Sequence, residues 1–304
     1  MIASQLLIAG ISTGSVYALI AIGIVLIYKS SGVVNFAQGG YAMVGAYITY
    51  ALLSAGLPPT AALPLGIIAL GFLGGATEYL LLRPMLRAPV VAVLMVTLGI
   101  LIVMRGAVLF AFGSDTLPFP QVFPAGVVEF GGLLVTYNYI VAVLVSAGLV
   151  GIFVAFYHFT RIGLMQRCCA DNRKAALAVG IHVSNQVNLS WVLSAALAGF
   201  GGILLATLSG VHETLSNIGL VAFPVIVLGG LSSLVGAFVA GLLLGVMESF
   251  TNGVLSPVLE TWLRAHTEIY TLGALQQVIP YIVMVLVLLF RPHGIFGRSG
   301  TERV

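Results

Sequence analysis

The residues in this chain whose types could do chemistry are few and scattered. The one long polar, charge-rich stretch between apolar runs is Arg161-Ile-Gly-Leu-Met-Gln-Arg-Cys-Cys-Ala-Asp-Asn-Arg-Lys-Ala-Ala-Leu-Ala-Val-Gly180, with four of the twelve basic residues. A helix of this kind, carrying Ala and Gly, suits a docking knob for another protein; a plain surface loop has the same composition. Nucleotide chemistry is a different matter. A phosphate-binding loop needs Gly-Lys followed by Ser or Thr, because the lysine reaches the β- and γ-phosphates. Tyr28 and Arg173 precede the only two lysines, Lys29 and Lys174, so neither can serve. If ATP drives this molecule, a separate polypeptide hydrolyses it. His158, His182, His212, His266 and His293 lack metal-ligand spacing, and the adjacent His212 and Glu213 face differently. Ser209 and Ser232-Ser233 have no local base to make them nucleophiles. Cys168 and Cys169 are neighbours and read as unpaired thiols.

Two segments interrupt the apolar pattern. Lys29-Ser-Ser-Gly-Val-Val-Asn-Phe-Ala-Gln-Gly-Gly40 has the composition of a broken helix, and Ile218–Gly230, with Pro224, is its counterpart. Paired interruptions of this kind point to a solute path, since non-helical backbone at membrane depth lines a cavity or is buried in protein. Asn35, Gln38, Gly39, Gly40, Tyr41, Gly229 and Gly230 are the path candidates. An ordinary turn with an amide cap fits Lys29–Gly40 as well. Three charges fall in or near spans: Arg105, Glu248 and Glu78. Arg105 can pair with Glu248 or snorkel outward, and Glu78 can reach the interface. No intramembrane Asp, Glu or His chain resembles a proton relay.

The elements that position these groups are membrane helices. The chain is 60% hydrophobic and 7% charged, against about a quarter charged in soluble proteins. Its mean hydropathy of +1.14 leaves room for about eight or nine spans of roughly 20 residues. The apolar runs are continuous, which excludes a β-barrel with its period of two. The expected fold is an all-α, polytopic transmembrane bundle of about eight spans plus a broken or re-entrant half-helix. A single membrane domain over 1–304 contains the 161–180 loop. No Lys or Arg precedes Lys29, so the first run reads as a span and not a cleavable leader. The remaining spans are expected near 41–54, 61–82, 90–112, 133–159, 187–208, 231–250 and 272–290, with polar loops at 113–132 and around Glu260, Arg264, His266 and Glu268. Basic residues set the orientation. With 161–174 cytoplasmic, Lys29, Arg83, Arg87, Arg291, Arg298 and Arg303 share that side and the N-terminus lies outside. Gly39-Gly40 and Gly229-Gly230, each followed by Val-Gly-Ala and later by Arg-Pro (Arg83-Pro84, Arg291-Pro292), suggest a parallel internal repeat.

Throughout its length the chain resembles the integral-membrane permease of high-affinity branched-chain amino acid ABC transporters. The match rests on Gly14-Ser-Val-Tyr-Ala-Leu-Ile-Ala-Ile-Gly23, Asn35-Phe-Ala-Gln-Gly39, Gly163–Gly180, Ser194-Ala-Ala-Leu-Ala-Gly199 with Gly201-Gly202, Gly229-Gly230-Leu-Ser-Ser with Gly236-Ala237 and Gly245, and Arg291-Pro-His-Gly294 with Gly297. Gln38 stands where the family pattern leads one to expect His, and Val221 where Lys is often seen, and both bear on the solute. The chain looks closer to the shorter of the family's two permeases. The resemblance implies a second permease subunit, two ATPase subunits, a periplasmic binding protein and a place in the bacterial inner membrane. It implies no cofactor on this chain, ATP being used by the partners, and no nucleic acid. It also implies that Gly163, Arg167, Ala170, Asp171, Ala175 and Gly180 form the loop that couples to the ATPases. Branched-chain amino acids are the expected solutes; related systems carry urea, short amides or aromatic acids. An ion-coupled carrier and an intramembrane enzyme are the rival readings.

Overall fold

In hydrocarbon only a helix satisfies its own backbone without closing into a barrel, so the long apolar runs fold as helices. A computed structural model describes residues 2–85, 88–123, 126–130, 133–266, 275–291 and 294–296. Arg87, Gly132, Glu268, Leu272, Pro292, His293, Gly297, Arg298 and Arg303, used above, lie outside them. The helices are α1 (Ile2–Ser31), α2 (Gln38–Ser54), α3 (Pro59–Thr77), α4 (Val90–Phe112), α5 (Tyr137–Phe159), α6 (Arg161–Asp171), α7 (Arg173–Ala178), α8 (Val183–Ser209), α9 (Ile218–Gly229), α10 (Leu234–Phe250), α11 (Ser256–His266) and α12 (Leu275–Phe290). A short antiparallel hairpin, β1 (Val127–Phe130) and β2 (Leu133–Thr136), precedes α5. Among the described residues, six helical runs are long and apolar enough to cross a membrane, and the apolar stretches 213–229 and 277–290 are shorter.

The bundle is organised around α1, whose apolar window is 89% buried. Its neighbours approach closely because the contact positions are small. Gly10, Gly14 and Ala18, spaced one turn apart, face Gly241 and Gly245 of α10. A Cβ on Gly14 would stand 2.6 Å from the Gly241 carbonyl oxygen. The backbones of Gly45 (α2) and Gly199 (α8) meet in the same way, as do those of Ala42 and Gly202. Membrane helices gain little from hydrophobic exclusion and associate through this kind of close backbone packing.

The basic residues gather at one face. The Lys29 ammonium lies 5.0 Å from the centroid of the Tyr157 ring, the Arg173 guanidinium reaches the Ser30 carbonyl, and Arg83 Nε donates to Ser184 Oγ at 2.7 Å. The segment after α12 returns there too, with Ile295 N donating to the Leu228 carbonyl at 2.7 Å. We call this the basic face. The hairpin, the Leu117–Val211 bridge and the N-terminal end of α1 lie at the far face.

Several expected boundaries move. Residues 133–136 form β2, not the start of a span, and α5 begins at Tyr137. The expected polar loop after Phe250 is helical: a π turn (Thr251–Leu255) joins α10 to α11, and Glu260 and Arg264 pair across one turn of α11 at 3.7 Å. Lys29, Ser30 and Ser31 continue α1, so the first interruption shrinks to residues 32–37. Ile218–Gly229 is a half-helix, preceded by a 3₁₀ turn (Glu213–Asn217). The segments α2–α3 and α10–α12 run outward and back in the same sense. The glycine pairs do not occupy matching places, however. Gly39-Gly40 open α2 inside the bundle, while Gly229-Gly230 close α9 at the basic face.

Candidate functional site

At the basic face the chain doubles back after α5, and each residue of the turn has a local reason. Thr160 is extended; its Oγ1 donates to the Phe156 carbonyl at 2.7 Å and accepts from Gly163 N at 3.0 Å, capping α6. Gly163 packs on the backbone of Phe156 and Tyr157, and a Cβ there would lie 2.6 Å from the Phe156 oxygen. Asn172 breaks α6 from α7 and caps α7 by accepting from Ala175 N at 3.0 Å. Gly180, at φ +83°, ends α7: its N–H bonds the Leu177 carbonyl and Ile181 N–H bonds the Ala176 carbonyl, a Schellman pair. Two arginines tie this elbow to the bundle. Arg167 Nη2 donates to the His158 carbonyl in the last turn of α5 (3.0 Å), and Arg173 Nη2 donates to the Ser30 carbonyl in the last turn of α1 (2.6 Å). Both are favourable placements of a cation at a helix C-terminus.

Gln166 and Cys169 face the bundle, and burial pushes the Cys169 thiol above its ordinary pKa. Ala170 is half-buried, whereas Asp171 and Ala175 are exposed. A cleft of about 1090 Å³ opens between the elbow and the start of α10, lined among others by Lys29, Arg167, Asp171, Lys174 and Ser232. The outward surface of the elbow is more apolar than its composition implies: Leu177 is 60% and Val179 74% exposed. Sequence reasoning missed these two. The signal was present, since they are the large apolar residues that follow the polar run Asp171–Lys174.

The interrupted segment forms a second centre. Residues 32–37 climb from the basic face into the bundle, where Phe36 N donates to Thr97 Oγ1 of α4 at 3.3 Å and the Phe36 ring stacks on Phe223. Asn35 is 1% and Gln38 0% exposed. Asn35 Oδ1 accepts from Ala37 N, and its Nδ2 donates to Gln38 Oε1. Gln38 Nε2 donates to the carbonyls of Ile20 (α1) and Ser194 (α8), while Ser194 Oγ donates to Gln38 Oε1 at 3.0 Å. The amides therefore form a closed knot joining α1, α2 and α8. Ser194, which completes it, was visible beforehand only as a polar residue in a small-residue run. Gly39 lies on the backbone of Ser216 and Gly219, Gly40 lies on Met104 and Leu101, and Tyr41 is fully buried. Gly229 and Gly230 do not join this group. They form the turn into α10, packed on Gly236 and Gly294. The path candidates thus occupy two places.

Charges inside the bundle are individually partnered or individually placed. Arg105 pairs with Glu213 of the 3₁₀ turn, not with Glu248, because that turn descends beside α4. Glu78 does not reach an interface: it is 1% exposed in the π turn after α3, and Asn188 Nδ2 donates to its Oε2 at 2.7 Å. Burial holds the His212 imidazole below its ordinary pKa, against the opposing pull of Glu213. Among the described residues, no group of three His, Cys, Asp or Glu side chains could hold a metal ion.

Comparison with known proteins gives a consistent result. Residues 6–288 match the family described as the permease component of branched-chain amino acid transport systems. The chain is 32% identical over 319 residues to the high-affinity branched-chain amino acid transport system permease protein BraD of Pseudomonas aeruginosa, covering 99% of this chain and 97% of that one. It is 28% identical over 316 residues to LivH of Escherichia coli K12, a permease of the same description, with the same two coverages. It is 30% identical over 295 residues to a probable branched-chain amino acid transport permease, LivH, of Methanocaldococcus jannaschii, covering 92% and 88%. No solved structure matches the chain.

Proposed function

The chain belongs to the branched-chain amino acid transport permease family, and from that premise we propose that it is a membrane subunit of an ABC importer for branched-chain amino acids. In this reading a periplasmic binding protein delivers the solute at the far face. A second, homologous permease subunit completes the path through a bacterial inner membrane. The basic face is cytosolic, and the N-terminus lies outside. Two ATPase subunits grip α6–α7; they alone use ATP, and this chain binds no cofactor.

The observation that carries the reading is the anchoring of the elbow. Its exposed surface presents Leu177 and Val179 to a partner, while Arg167 and Arg173 fasten it to the ends of α5 and α1. A push on α7 is therefore applied to the central helix. That helix holds α10 through the glycine seam and α2 through Gln38, so a displacement of α1 acts on the start of α2 at the middle of the bundle. Of the residues assigned to the loop, Gly163 and Gly180 shape the elbow, Arg167 fastens it, Ala170 and Asp171 border the cleft beside α10, and Ala175 is exposed to the partner side. Asn35, Gln38, Gly39, Gly40 and Tyr41 act in this reading as the fulcrum of the path, and Gly229 and Gly230 as the hinge between α9 and α10.

Reconstituted uptake tests it. Proteoliposomes holding this chain, the second permease and the ATPases should accumulate leucine when ATP is inside and the binding protein outside; the chain by itself should not. Leu177→Asp with Val179→Asp should cut uptake and solute-stimulated ATP hydrolysis by about tenfold, as loss of buried interface anchors does, while the protein still inserts. Ion-driven uptake by the lone chain would overturn the proposal.

A further inference from the structure

We infer that a vestibule at the far face binds the α-ammonium group of an aliphatic amino acid on its way through, with Glu248 as the counter-charge. The inference rests on the amino acid reading above and extends it to a residue. The vestibule is a cavity of about 310 Å³ between α1, α9, α10 and α12, within the size range of small-molecule sites. It runs from His212 at the far face down to Ile218 and Leu220, where α9 begins. Its depth follows from the helices. Glu248 is fourteen residues beyond Leu234, about 21 Å along α10 from the basic face, in a helical run that continues to Arg264. Tyr17, on the central helix, lies beside it at a similar height.

An ionised carboxylate at this depth is costly unless a cation answers it. None does so within the protein as described. Arg105 is held by Glu213, and no Lys or Arg among the described residues forms an ion pair with Glu248. The Tyr17 side chain lines the same cavity, and Glu248 Oε2 is buried without a hydrogen-bond partner. Beside it the wall has an aliphatic side, formed by Leu205, Leu215, Ile218, Leu220 and Val221, and a polar side to which Thr214, Asn217 and Gln277 belong. The remaining titratable neighbours are engaged elsewhere. The His212 ring contacts Thr214 Oγ1 and its burial disfavours the charged form, and the Tyr281 hydroxyl donates to the Leu220 carbonyl at 3.0 Å. That carbonyl is free because Pro224, four residues on, has no N–H to give it. A carboxyl with no cation paired to it, beside aliphatic side chains, complements a primary ammonium on a branched hydrocarbon.

Carbodiimide labelling in native membranes tests this without any substitution. Dicyclohexylcarbodiimide should modify Glu248, read by mass spectrometry of the peptide. Leucine and isopentylamine, which has the ammonium but no carboxylate, should protect it; 4-methylpentanoate, which has no ammonium, should not. Glu78, whose Oε1 is likewise buried without a partner but which does not line the vestibule, serves as the unprotected control. Protection by isopentylamine without protection by leucine would keep the ammonium site and overturn the amino acid reading. Protection by neither amine, or equal protection by 4-methylpentanoate, would overturn the site. As a second arm, E248Q in the importer assembled without its binding protein should weaken radiolabelled leucine binding by about tenfold or more, with E248D recovering part of it. Unchanged binding in E248Q would also overturn the site.

Discussion

Single residues of the elbow carry geometry as much as contact. Gly180 sits at φ +83°, where a Cβ costs about 1–2 kcal/mol, so Gly180→Ala should loosen α7. Hydrogen exchange of the amides at 175–181 should then speed up severalfold with the transmembrane helices unaffected. Gly163→Ala should be worse. Its Cβ meets the rigid backbone of Phe156 and Tyr157, not a yielding side chain, so the cost falls at about 1–3 kcal/mol and the Arg167–His158 bond should be lost. The two thiols should differ as well. Cys169 is buried and its pKa is raised, so less thiolate forms at neutral pH; maleimide should label Cys168 first, with Cys169 following as the pH rises. Sequence alone pointed to this stretch, because four cations and Asp171 between apolar runs are too costly to place in hydrocarbon. What it could not give was the division of labour. Whether a glycine seats a partner or bends the chain depends on backbone angles and on which carbonyl stands opposite.

Among elements, the seam between α1 and α10 is the most demanding contact. Gly14→Leu would drive a branched side chain into the Gly241 carbonyl and Leu242, and no rotamer avoids the backbone. The expected result is a marked drop in folded, membrane-extracted protein, while Gly148→Leu, at an α5 position with nothing nearby, should be tolerated. The long apolar helices were legible, since runs of about 20 apolar residues leave few alternatives; α11 was not. Boundaries were less so where polarity and helicity part company. Glu260, Arg264 and His266 look like a loop by hydropathy, yet α11 is an amphipathic helix continuing α10 across a π turn. The interruption at Lys29–Gly40 was legible from its Gly and amide content. The knot between Asn35, Gln38 and Ser194 was not, because its partners are 156 residues apart.

Taken whole, the molecule has a polarity that the basic residues announced: Lys29, Arg83, Arg161–Lys174 and the approach to Arg291 share one face. The partner of Arg105 was misjudged for the opposite reason. Glu213 looked like a loop residue, and only the descent of its 3₁₀ turn brings it beside α4. The unequal wrapping of the helices has a further effect. The window of α1 is 89% covered by its neighbours, whereas α4 and α5 are covered over only 17% and 22% of theirs. The periphery, far more than the centre, is thus left for acyl chains and a second permease subunit to cover. Lipids of mismatched length should tilt α4 and α5 at a cost of fractions of a kcal/mol per Å, and the core should not feel it. Turnover in reconstituted vesicles should change little as the acyl chains are lengthened or shortened by a few carbons, so the organism can remodel its membrane with temperature without retuning this subunit.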